Sequence, residues 1–95
     1  MSIFVGLLTT ELNIPEAACL KDKRQVLRSL LTRMSNKFKV AVAEVDHLNS
    51  HQQACIATAT VSNTKAQVHR ILMAVSQFIQ AEPRITVQSE TVEII

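Results

Sequence analysis

The apolar residues of this 95-residue chain switch back and forth between the two-residue period of a strand and the period of a helix. Few architectures are compatible with the order of those switches. The clearest stretch is Val68, Ile71, Leu72, Val75, Phe78 and Ile79, which follow i, i+3, i+4, i+7, i+10 and i+11 without a miss. Ser62-Asn63-Thr64 supplies N-cap candidates, Thr64 with Gln67 fits a capping box, and Pro83 closes the helix. Upstream, Leu20, Leu27, Leu30, Leu31 and Met34 mark one face of a first helix that should end near Asn36. β-branched and apolar residues predict strands over 2–12, 38–46, 54–61 and 85–94, with a polar turn at 48–52 joining the second and third as a hairpin. In the last strand Val87 and Val92 fall on opposite parities, which predicts a bulge or bend between Ser89 and Thr91.

The order is β-α-β-β-α-β. Two βα units joined by a hairpin predict an α+β fold, the ferredoxin-like sandwich. Right-handed crossovers then place both helices on one face of a four-stranded antiparallel sheet. A chain of this size buries roughly 64% of its unfolded surface, enough for one domain over 1–95 without disulfides or metals. The second sheet face would ordinarily be polar. Here Val40 and Val42 on one parity of strand 2, and Ala41, Ala43 and Val45 on the other, leave both faces short of charge, as do Ile56 against Cys55, Ala57, Ala59 and Val61 in strand 3. A second copy is the simplest cover, so a homodimer is expected.

Composition removes several classes of function. A single glycine cannot write either phosphate-binding loop motif, and 47% hydrophobic with 19% charged residues excludes disorder. The apolar run Ile3–Leu8 has no basic residue before it and meets Glu11 soon after, unlike a signal peptide, and no stretch approaches the ~18 apolar residues of a membrane span. Cys19 and Cys55 are expected to be reduced thiols in a cytoplasmic protein with no membrane contact.

Charge is unevenly distributed. Seven of the ten Lys and Arg residues lie between 21 and 39 with only Asp22 among them, a local charge of +6. Lys21, Arg24 and Arg28 fall within about 60° of one another on helix 1 and flank its apolar face, a stripe able to meet phosphates without reading sequence. Lys23 falls instead on the apolar arc, in the first turn. Its methylenes either run along the core edge, or its ammonium reaches Glu44 or Asp46, which continue the Val40/Val42 parity. A structural ion pair is the expected outcome.

Leu20-Lys21-Asp22-Lys23-Arg24 with Val26-Leu27, Phe38, Val42-Ala43-Glu44-Val45-Asp46-His47 and Val61-Ser62-Asn63 together resemble the YlxP-like family of small bacterial proteins of unassigned function. The resemblance spans essentially the whole chain and implies the same ferredoxin-like sandwich. Genes of that family often lie near those for transcription elongation, translation initiation and ribosome maturation factors, which implies an RNA- or ribosome-linked role. Two positions depart from the family pattern: Cys19 stands where an N-cap Ser is usual, and His51 and Gln53 where a Trp and a basic residue are usual.

The remaining chemistry is sparse. RNA-recognition motifs of the same β-α-β-β-α-β order stack bases on aromatics of strands 1 and 3, but strand 1 offers only Phe4 and strand 3 none. His47, His51 and Cys55 are spaced by four, a spacing that serves metal binding on helices rather than on a strand–loop–strand, so no metal site is expected and the histidines should face water. Cys19 at a helix N-terminus beside Lys21 has no neighbouring base, and no acid–base pair or cofactor motif is evident. The expected function is therefore non-enzymatic and without cofactors. The first reading is an accessory protein of the translation apparatus that touches ribosomal RNA or a ribosomal subunit through Lys21, Arg24 and Arg28. The second is a dimeric interaction module that holds a protein or small ligand on its sheet face or in a cleft.

Overall fold

A computed structural model describes all residues from 1 to 95. The elements are β1 (Phe4–Asn13), α1 (Leu20–Phe38), β2 (Ala41–Asp46), β3 (Gln53–Ser62), α2 (Lys65–Gln80) and β4 (Thr86–Ile94). The sheet order β2-β3-β1-β4, antiparallel throughout, is that of the ferredoxin-like α+β fold. Both helices cover one face. Leu8 and Leu12 of β1, Ile56 of β3, Leu27, Leu30 and Met34 of α1, and Val68, Leu72, Val75 and Ile79 of α2 form the core between them.

Local chemistry explains the element ends. Thr64 Oγ1 accepts from the Gln67 N–H at 3.2 Å, starting α2. Cys19 caps α1 with extended backbone but no side-chain bond, while the Asp22 carboxylate reaches back to accept the N–H of Ala18, just before the cap, at 3.0 Å. At the other end α1 runs two residues beyond Asn36, so Phe38 closes the helix rather than opening β2. Phe38 packs edge-on against Phe78 of α2, with ring centroids 5.4 Å apart, and that contact holds the extra half-turn helical. Lys39 then ends it in the left-handed conformation.

Two bulges reset parity. Leu12 pairs with Val87 while Glu11 pairs with Ser89, so Gln88 is the extra residue of β4 and the slip lies just before Ser89. Glu44 pairs with Ile56 while Asp46 pairs with Cys55, so Val45 is extra in β2. Gly6 lies directly under Val68 and Leu72 of α2. A Cβ there would stand 2.2 Å from Val68 Cγ1 and 2.9 Å from Leu72 Cδ1.

Polar groups fasten the helices. Glu82, just past α2 and 7% exposed, is held between Arg33 of α1 (2.9 Å) and Arg84 (2.6 Å). The Arg84 guanidinium and then Arg33 outweigh the cost of burial and hold the Glu82 carboxyl at about 2. A carboxyl depressed in the folded state contributes fully above its unfolded value and loses that contribution as pH falls toward 2. Acid titration between pH 5 and 2 should therefore cost the parent protein on the order of 2 kcal/mol at this site. Glu82→Gln should be less stable at pH 7 and show a flatter stability curve over that range by urea titration.

Candidate functional site

Helix α1 carries the site, and its residues divide by what they touch. Lys21, Arg24 and Arg28 are all exposed, and none approaches a carboxylate within ion-pair distance. With Gln25 they line a shallow hollow of about 290 Å³ that contains no apolar residue. Helical spacing places the three charges together on the flank of α1 away from α2. That side is fixed by Arg33 and Lys37, which lie over the Phe78 ring of α2 at 5.6 and 5.2 Å from its centroid. The stripe is left with its full charge.

Lys23, one residue from the stripe, has the opposite environment. It is fully buried, and its ammonium donates to the carbonyls of His47 (2.8 Å) and Gln53 (2.9 Å). Glu44 Oε2 stands 2.8 Å away, placed for charge attraction but not aligned as a hydrogen bond. One side chain thus ties the start of α1 to both ends of the β2–β3 turn. Asp46 does not take part. The bulge at Val45 turns it to the other sheet face, opposite Cys55, where its carboxylate accepts the His47 N–H at 2.7 Å.

The hairpin histidines part company. His51 is exposed, and His47, whose side chain is 34% exposed, also meets a partner: its left-handed backbone (φ 61°) accompanies an approach of Nε2 to within 3.2 Å of Glu11 Oε2. Cys55 lies buried between Asp46 and Glu11 on that face. Burial pushes its thiol up to about 11, and the Glu11 and Asp46 carboxylates add to the rise. The thiol stays protonated at neutral pH and is a poor nucleophile. His47, His51 and Cys55 are not gathered into a metal-binding group.

None of the aromatics lies on the open sheet face. Phe4 is on the helix side of β1, and Phe38 and Phe78 lie between the helices. Sequence reading missed a carboxylate on that helix side. Glu90 of β4 accepts from Thr10, Ser76 and Gln80, a cross-element network whose only trace in the sequence is an acidic residue in a strand. No helix is long and apolar enough to cross a membrane.

Comparison with known proteins follows the same lines. Residues 5–92 match the family described as "Protein of unknown function (DUF503)". The chain is similar to "Uncharacterized protein YlxP" of Bacillus subtilis (strain 168), with 36% identity over 81 residues covering 85% of this chain and 88% of that protein. A family match across nearly the whole chain and a relative at that identity agree with the YlxP-like motifs. The chain belongs to the DUF503 family.

Proposed function

We propose that this protein is a non-enzymatic accessory factor of the translation apparatus that binds structured RNA, ribosomal RNA foremost, through Lys21, Arg24 and Arg28. The observation that carries this reading is the division of charge on α1. Lys23 and Arg33 are neutralised by carboxylates, whereas the three stripe residues are exposed, adjacent and unpaired. Unneutralised cations on a rigid helix suit a phosphate backbone, which carries closely spaced charge and releases counterions on contact. The absence of aromatics from the open sheet face argues for recognition by shape and charge rather than by base stacking. The ribosome-linked role implied by the YlxP-like resemblance points the same way.

Salt titration tests it. Three phosphate contacts predict that log affinity for a structured RNA falls against log salt with a slope of about −2 to −3. The triple variant Lys21→Glu, Arg24→Glu, Arg28→Glu should lose binding in filter assays and lose co-sedimentation with ribosomal subunits at low salt, while keeping its melting temperature. Reversing Lys65 and Arg70 on α2 should have a much smaller effect. A triple variant that binds like the parent would reject the stripe as an RNA site and leave an interaction module on the sheet face as the better reading.

A further inference from the structure

The aromatic rings missing from the open sheet face are gathered at the C-terminal end of the helix that carries the stripe. Phe78 of α2 is half-buried, and its ring lines a shallow hollow of about 410 Å³ with Arg33, Asn36 and Lys37 of α1. Phe38 meets that ring at 82° and 5.4 Å and holds it in place. The three α1 residues differ in their freedom. Arg33 is held at two points, its Nε donating to the Ser29 carbonyl (3.2 Å) and its Nη2 to Glu82 (2.9 Å). Its side chain is nonetheless 43% exposed, so the hollow has a fixed guanidinium plane on one side. Lys37 has no carboxylate partner and rests its ammonium 5.2 Å from the Phe78 centroid. Asn36 is exposed, and its amide bonds to no other side chain.

We infer, resting on the RNA reading of α1, that this hollow seats one unpaired nucleobase of the RNA whose phosphates lie on Lys21, Arg24 and Arg28. An aromatic ring, a guanidinium plane and a free amide are the groups on which unstacked RNA bases are held and hydrogen-bonded. The base lies on Phe78 in place of the Lys37 ammonium, with Arg33 beside it and Asn36 at its hydrogen-bonding edge. Lys37, on its flexible stem, turns to the adjoining phosphate. Magnitudes favour the exchange. A base stacked on an aromatic ring contributes about 5- to 150-fold in affinity, an exposed cation–π contact only about 2- to 5-fold.

The place of the hollow along α1 selects the same occupant. It lies at the negative end of the helix dipole, which disfavours a phosphate there and leaves an uncharged ring as the better guest. Asn36 stands eight residues beyond Arg28, roughly 12 Å along the helix axis. One strand of a nucleic-acid helix covers that distance in about four nucleotides. The RNA is therefore a stem with a bulged or terminal unpaired nucleotide rather than an uninterrupted duplex.

Two hairpin RNAs test this, one with a single bulged adenosine and one with an abasic nucleotide at the bulge. The full chain should bind the first roughly tenfold more tightly than the second. That ratio should hold between about 50 and 200 mM salt, because stacking releases no counterions, while both affinities fall. Phe78→Leu keeps the apolar volume and removes the π face, so the ratio should drop to near one with the abasic affinity unchanged. Asn36→Ala, at an exposed position, should lower the ratio severalfold and carries the test should Phe78→Leu fail to fold. Reversing Lys21, Arg24 and Arg28 should weaken both hairpins together. If the stripe reading fails and neither hairpin binds, adenosine monophosphate judges the hollow alone. At millimolar concentration it should shift the Asn36 side-chain amide in NMR spectra, and inorganic phosphate should not. Equal affinity for the two hairpins overturns the inference, as does a preference that survives both Phe78→Leu and Asn36→Ala. An Asn36 amide unmoved by the nucleotide, or moved as far by phosphate, overturns it as well.

Discussion

Lys23→Ala should lower stability by about 3–5 kcal/mol in urea titration, whereas Lys21→Ala, two residues earlier, should change it by no more than about 0.5 kcal/mol. The contrast follows from what each truncation leaves behind. Lys21 is exposed, and its removal strands nothing. Removal of Lys23 opens a fully buried space and leaves the carbonyls of His47 and Gln53 without a donor and Glu44 without its cation. Unsatisfied buried acceptors cost more than the bond that satisfied them contributed. Lys23→Met, which refills the volume and still strands the acceptors, should lie between the two. Adding Glu44→Gln to Lys23→Ala should recover part of the loss, since the second change removes the uncompensated charge. Equal midpoints for Lys23→Ala and Lys21→Ala would mean that the ammonium contributes nothing beyond its methylenes. Fast amide exchange in the 47–53 turn of the Lys23→Ala variant would show that the turn is what the lysine holds.

Gly6→Ala should lower the melting temperature by about 10 °C or more, equivalent to roughly 2 kcal/mol in a domain of this size. Gly6 is not used for backbone freedom, because its φ is not positive. It is used for clearance. The added methyl would overlap Val68 Cγ1 at 2.2 Å, and a β-branched side chain in a helix has essentially one rotamer to occupy. The helix must therefore shift, and it is the helix that carries Val68, Leu72, Val75 and Ile79 into the core. An alanine in place of a strand glycine would otherwise gain a few tenths of a kcal/mol from the unfolded state, so a net loss isolates the clash. Pairing Gly6→Ala with Val68→Ala should restore part of the melting temperature by circular dichroism. An unchanged melting temperature for Gly6→Ala alone would mean that α2 is free to ride outward at no cost.

The element order was legible in the chain because it rests on local periodicity. Helical spacing over 68–79, the Thr64 cap and the strand alternations each depend on residues within a few positions of one another, and all six elements are present in the fold. The same local geometry placed Lys23 on the buried arc of α1 and Lys21, Arg24 and Arg28 on its exposed flank. Only the tertiary structure decided the partners. Lys23 donates to two backbone carbonyls, 24 and 30 residues away, and carbonyls carry no residue-type signal for a sequence to display. Asp46 shares the parity of Glu44 in the sequence, yet a one-residue bulge at Val45 reverses every facing beyond it and sends Asp46 to the opposite side of the sheet. Strand facing has a period of two, so a single extra residue inverts it, and the register that admits the extra residue is set by the neighbouring strand. The glycine at position 6 is set in the same way, by a helix about sixty residues later in the chain whose Val68 packs to within 2.2 Å of where a side chain would begin.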